Sequence, residues 1–210
     1  MNQIQQSIQK ILSGITIFLI CTILAGFVNF FSTFAAVATT FTSLATGGSI
    51  VSGLSTIAII TILVNLGVLF GLIAYYRGLK SFASQLDENT ASAVRKLSTG
   101  AILNIIAIII SIFEFLPLLG FAIGIGVIVM SVIAFIFNLI GYSALKNATG
   151  LNEKGRAGAS QLHTGYIFAI IAVVVGLIPL IGAIPALILN ILYWVYLFNG
   201  WKKIKASFAE

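Results

Sequence analysis

Along this chain the polar positions fall in clusters and the apolar ones in runs of membrane-crossing length. Residues 11–31 and 56–76 are each 21 residues long and carry no charge before the Tyr75-Tyr76-Arg77 boundary. At ~1.5 Å per residue, such a run crosses a hydrocarbon core of ~30 Å. Further apolar runs cover 100–116, 121–141, 165–178 and 183–200, and Pro117–Gly120 and Pro179–Gly182 between them are too short for anything but tight turns. Residues 32–55, rich in Ser, Thr, Gly and Ala, read as the longest connection, extramembrane or lying on the bilayer. The pattern predicts an all-α, polytopic integral membrane protein in one domain over 1–210. Its six transmembrane helices form three in-out-in hairpins, 11–76, 100–141 and 165–200, separated by basic loops 77–99 and 142–164 and closed by a tail at 201–210.

Two segments admit a second reading. The first run, with Ala36-Val37-Ala38 beyond it, has the outline of a cleaved signal peptide, but the run is too long and Lys10 is the only basic residue before it. The run 165–178 offers 14 residues, about 21 Å of helix. Either the fifth helix starts earlier, near Ala159 or Ser160, or this hairpin dips in and returns. Full crossing is the expectation, because turn backbone exposed to lipid at mid-depth lacks hydrogen-bond partners.

The last two hairpins repeat each other. Leu97-Ser98-Thr99-Gly100 corresponds to Leu162-His163-Thr164-Gly165, Leu116-Pro117-Leu118-Leu119-Gly120 to Ile178-Pro179-Leu180-Ile181-Gly182, and Tyr142-Ser143-Ala144-Leu145-Lys146, more loosely, to Trp201-Lys202-Lys203-Ile204-Lys205. Tyr76-Arg77-Gly78-Leu79-Lys80 gives the first hairpin the same ending without the proline turn. Equal polarity predicts a parallel internal repeat.

Composition sharpens this picture. The 210 residues are 60% hydrophobic and 8% charged, which is too little charge to cover a water-soluble globule. The net charge is +6, yet no polar domain interleaves the basic and aromatic residues as a nucleic-acid site would. The charge instead orients the protein. With six alternating spans, all 11 Lys and Arg fall on one side: Lys10 with Arg77, Lys80, Arg95, Lys96, Lys146, Lys154, Arg156, Lys202, Lys203 and Lys205. Enrichment of Lys and Arg on the cytoplasmic side places both termini inside, in a bacterial or archaeal cytoplasmic membrane. The six tyrosines, Trp194 and Trp201 lie toward that side and read as a one-sided interfacial belt. The lysines and arginines are also suited to anionic lipid headgroups, at about 1 kcal/mol each near the surface.

Candidate chemistry is sparse. Asn104, Ser111 and Glu114 share one face of the third helix, in steps of seven and three. Glu114 is the one acid inside an apolar run, so it is either an interfacial anchor or an ion or proton site. Small residues at helical spacing, Gly67 with Gly71, Gly124, and Gly165, Ala169, Ala172 and Gly176, predict close helix packing. The rival is a polar path through Asn65, Asn104, Ser111, Ser131, Asn138 and Asn190. His163 stands without a second ligand, and Cys21 cannot form an internal disulfide. No hydrolase, phosphate-binding or metal motif occurs, so no metal or cofactor is expected. The expected function is a non-enzymatic assembly component of a membrane complex or homo-oligomer. The alternative is a small permease or channel built on Glu114 and the asparagines.

Overall fold

A computed structural model describes residues 2–46, 51–111, 120–178 and 182–209, all in helices and short joints. The helices are α1 (Gln3–Thr46), α2 (Val51–Ala83), α3 (Glu88–Ser111), α4 (Gly120–Lys146), α5 (Glu153–Gly176) and α6 (Ala183–Ser207). Among the described residues, six helical segments are long and apolar enough to cross a membrane, which marks an integral, multi-pass membrane protein.

The helices outrun the apolar stretches that announced them. Residues 77–99 and 142–164, expected as loops, are mostly helix, leaving only 84–87 and 147–152 as joints. Neither stretch contains proline, and Ala91, Val94, Leu97 and Ala101 keep a helical spacing with every member buried. Their polar residues form the outer face of a helix. Residues 32–46 and 51–55, read as part of a connection, are also helical, since Ser and Thr without proline do not break a helix. The short run 165–178 resolves in the same way: α5 starts at Glu153 and its 24 residues extend about 36 Å. The proline turn at 117–120 lies almost wholly outside the described residues, as do Pro179, Leu180 and Ile181.

Side-chain caps mark where the cationic-end helices start. Asp87 accepts a bond from the Thr90 amide at 3.1 Å, and Asn152 accepts from the Gly155 amide at 2.9 Å. Glu88 and Glu153 follow, placing an acid in each first turn against the helix dipole. Bonds from the Thr90 side chain and backbone hold the Asp87 carboxyl below its ordinary pKa. The Gly150 amide donates to the Thr90 hydroxyl at 3.1 Å, and Asn152 Nδ2 donates to the Ser207 carbonyl at 3.1 Å. Each cap therefore also ties its helix to another joint or helix end. Pro185, third in α6, sits in a first turn where its missing N–H breaks no bond.

Consecutive helices pack side by side and α1 meets α6, so the six close a ring in chain order. Three close approaches share one chemistry. Ile11 of α1 lies against Gly78 of α2, Leu97 of α3 against Gly141 of α4, and Leu162 of α5 against Gly200 of α6. A Cβ on those glycines would stand 2.7, 2.5 and 2.6 Å from the aliphatic side chain. One turn further along the first helix of each pair is another glycine: Gly14 faces the backbone of Gly71 and Tyr75, Gly100 faces the Ala134 carbonyl and Asn138, and Gly165 faces Tyr196 and the Tyr193 carbonyl. Partner numbers fall as the first helix advances, so each pair runs antiparallel.

All eleven Lys and Arg consequently gather at one end of the bundle, and the core lies there too. Ile8, Leu79, Phe82, Leu97, Leu145, Leu162, Trp201 and Ile204 are fully enclosed, and Phe82 meets Trp201 edge-on at 6.0 Å between centroids. Asn2 Nδ2 donates to the Phe208 carbonyl at 3.0 Å, bringing the two chain ends together. Toward the opposite end the helices present apolar side chains outward. Phe121, Ile128, Val173, Leu177, Ile184 and Leu187 are all more than half exposed, as suits contact with lipid.

Gly100→Ala should lower stability by about 1–3 kcal/mol, since its methyl would meet a backbone carbonyl and Asn138. Gly124→Ala, with nothing within 4 Å, should leave stability unchanged. Unfolding in mild detergent compares the two, and equal losses would mean that these approaches do not hold the bundle.

Candidate functional site

Where the core gives way to the lipid-facing half, all six helices line one small interior cavity of about 70 Å³. α1 contributes Ile15 and Phe18, and α2 contributes Leu72 and Tyr75. Asn104 comes from α3, Asn138 and Tyr142 from α4, Tyr166 from α5, and Tyr193 and Leu197 from α6. The volume suits on the order of two waters at ~30 Å³ each.

Each polar group arrives through the packing already described. Gly14 lets the Tyr75 backbone approach α1 closely, and Gly100 leaves room for the Asn138 side chain, where a methyl would stand in the way. The Tyr75 and Tyr142 hydroxyls meet at 3.1 Å, joining α2 to α4 across the interior. The Tyr166 ring packs at 5.4 Å from Tyr142, 4.8 Å from Phe135 and 6.2 Å from Tyr193, and Tyr193 lies 5.1 Å from Trp194, which reaches Phe18 of α1 at 5.6 Å. These tilted and edge-on contacts are the favoured aromatic geometries.

Asn138 Oδ1 is shut off from solvent and has no hydrogen-bond partner in the structure. A buried carbonyl left short of a donor costs about 1–3 kcal/mol, and a water bound beside it removes that penalty. The polar groups of this lining are all neutral phenols and amides. The site can therefore hydrogen-bond a small neutral or weakly charged guest, but it presents no group suited to proton transfer near neutral pH.

The sequence-derived positions distribute unevenly around it. Asn104 and Asn138 line the cavity. Ser111 is half-buried and donates to its own helix at Ile108, at 2.8 Å. Glu114 lies outside the described residues. Asn65 is half-buried but is not part of the lining, Ser131 is exposed, and Asn190 is exposed and donates to Ala186 on its own helix at 2.9 Å. The described residues thus give no continuous path through those six positions.

The small residues also divide. Gly67 packs against Cys21, Gly71 against the Phe18 backbone, and Gly165 against Tyr196. Ala172 is buried and Ala169 half-buried, Gly176 stands beside Ala186, and Gly124 meets no atom within 4 Å.

The tyrosine belt needs correction. Tyr142 and Tyr166 are buried, Tyr75 and Tyr193 point into the cavity with them, and Trp201 is fully enclosed in the core. A run that is apolar on every face does not say which face turns inward. The sequence shows only that the four tyrosines lie toward the basic ends of four different apolar runs.

The expected loop lysines and arginines are helical residues. Arg77 and Lys80 ride on α2, Arg95 and Lys96 on α3, Lys146 on α4, Lys154 and Arg156 on α5, and Lys202, Lys203 and Lys205 on α6. Arg95 pairs with Glu88 at 2.8 Å, an exposed contact worth little.

Comparisons with family models, with curated proteins and with solved structures return no match. The functional reading therefore rests on this chain alone.

Tyr75→Phe and Tyr142→Phe should each destabilise the bundle, because each leaves the other hydroxyl short of its partner. The double variant should lose less than the sum, with a coupling of about 0.5–1.5 kcal/mol. Unfolding of the four proteins in one detergent measures it, and strict additivity would mean that the hydroxyl pair contributes nothing.

Proposed function

We propose that this chain is a non-enzymatic, multi-pass membrane protein that assembles with further copies of itself through the lipid-facing halves of its helices. The observation that carries this reading is α4. It has the most apolar of the six spans, its window is 6% buried within the chain, and Gly124 and Gly126 on it meet nothing within 4 Å. Gly120 and Gly124 stand four apart, the spacing that lets two membrane helices approach closely.

In the same reading the chain is three in-out-in hairpins, the last two a parallel repeat, with both termini and the cationic end in the cytoplasm. The matched pairs Leu97–Gly141 and Leu162–Gly200, and Gly100 and Gly165 one turn on, support the repeat. Ile11, Gly14 and Gly78 extend the same contacts to the first hairpin. The gathering of every Lys and Arg at one end supports the orientation through the positive-inside bias.

Gly124→Leu should leave the thermal stability of the monomer unchanged, since no neighbour occupies that space, and should abolish self-association. Energy transfer between labelled copies in dilute vesicles reads this out. A wild-type protein that stays monomeric there, or a variant that associates as before, would overturn the proposal.

The cavity lined by all six helices favours a second reading, a small permease whose guest rests among the tyrosines and asparagines. Asn138→Leu would fill that space with apolar atoms and stop flux of a small solute or ion into liposomes. Undiminished flux in the variant, or none in the wild type, would exclude it.

A further inference from the structure

Among the described residues, the α1–α6 seam is the one contact in the ring between helices that do not follow each other in the chain. It leaves an open furrow, distinct from the cavity and from the outer face of α4. The furrow has two continuous parts that share Phe198. The first, about 500 Å³, lies at the cationic end and includes Gln5, Gln9, Ser13, Thr16, Lys202 and Lys205. The second, about 530 Å³, continues into the lipid-facing half along Leu19, Ile23, Leu187, Ile191, Trp194 and Val195.

The order of chemistry along the furrow identifies its occupant. Lys205 Nζ is held by Gln9 Oε1 at 2.6 Å, Lys202 is exposed, and no Asp or Glu is among the described lining residues. This end bears the two positive charges of Lys202 and Lys205. Below it, three polar side chains of the wall are turned onto their own helices: Thr16 and Thr22 hydroxyls donate to Leu12 and Phe18 at 2.9 and 2.8 Å, and Asn190 donates to Ala186. An apolar chain lying there meets few polar groups in want of a partner. From Lys205 to Leu187 is 18 residues of α6, about 27 Å. One leaflet with its headgroup layer is roughly 20–22 Å. The furrow is thus long enough for one lipid lying parallel to the helices, its phosphate level with the lysines.

We propose that the α1–α6 furrow binds an anionic membrane phospholipid, its phosphate held by Lys202 and Lys205 and an acyl chain laid along Leu19, Ile23, Ile191 and Trp194. The two charges set the preference for an anionic headgroup, and the apolar wall sets the requirement for a chain.

Trp194 reports on this directly, because Trp201, the other tryptophan, is fully enclosed. Full-length protein is placed in phosphatidylcholine vesicles carrying brominated phosphatidylglycerol or brominated phosphatidylcholine, and tryptophan quenching is followed against mole fraction. The expected result is half-maximal quenching by the anionic lipid at about tenfold lower mole fraction. Lys202→Gln with Lys205→Gln should remove that difference, with circular dichroism confirming the fold. Inorganic phosphate at matched ionic strength should displace nothing. Equal quenching by the two lipids in wild-type protein would overturn the proposal, whether or not the variant folds. A preference that survives in the folded variant, displacement by phosphate, or a Trp194 shielded from both lipids, as by a second copy in the furrow, would also overturn it.

Discussion

The structure depends on a close approach of paired helices at glycines that receive a large aliphatic side chain. Inside a bilayer no hydrophobic drive pushes helices together, so dispersion contacts and fitted shapes must hold them. Ile11 against Gly78, Leu97 against Gly141 and Leu162 against Gly200 supply such fits at the cationic end. The glycine one turn further on, at 14, 100 and 165, continues each approach toward the middle of the membrane.

Three features follow from where these contacts stop. On their cationic side the helices bury a core around Trp201 and Phe82, much as a soluble domain would. At their far edge Tyr75 and Asn138 line the interior cavity together with Tyr142, Tyr166 and Tyr193. Beyond that layer, glycines such as Gly124 and Gly126 have no neighbour, and the apolar surface is left to lipid or to another protein. The α1–α6 seam is not joined by a short turn, and there the ring leaves its furrow.

The chemistry of the interior is restrained by the same economy. A buried polar group in a membrane must find its partner inside the protein. The tyrosine hydroxyl pair does so, the threonine hydroxyls and the Asn190 amide donate back to their own helices, and Asn138 Oδ1 is the one cavity-lining atom left short among the described residues. A site assembled from neutral phenols and amides can donate and accept hydrogen bonds. The charged groups stand at one end, where water is available to them.

Sequence alone determined the class, the number of helices long and apolar enough to cross a membrane and the crowding of Lys and Arg beside the ends of apolar runs, because length and charge act one residue at a time. It also carried the packing signature, since Leu97-Ser98-Thr99-Gly100 and Leu162-His163-Thr164-Gly165 are legible as text, and so is Ile11-Leu12-Ser13-Gly14, which was not read that way. At 77–99 and 142–164 polarity does not mark a loop; it marks the outer face of helices, the inner face of α3 carrying Ala91, Val94 and Leu97. Only tertiary structure decided that four tyrosines face one another, that Trp201 belongs to the core and that Gly124 faces away from the bundle. The physical reason is that a helix apolar on every side has no preferred inward face in lipid. Its rotation is set by which neighbour fits against it, and that is a property of pairs of helices.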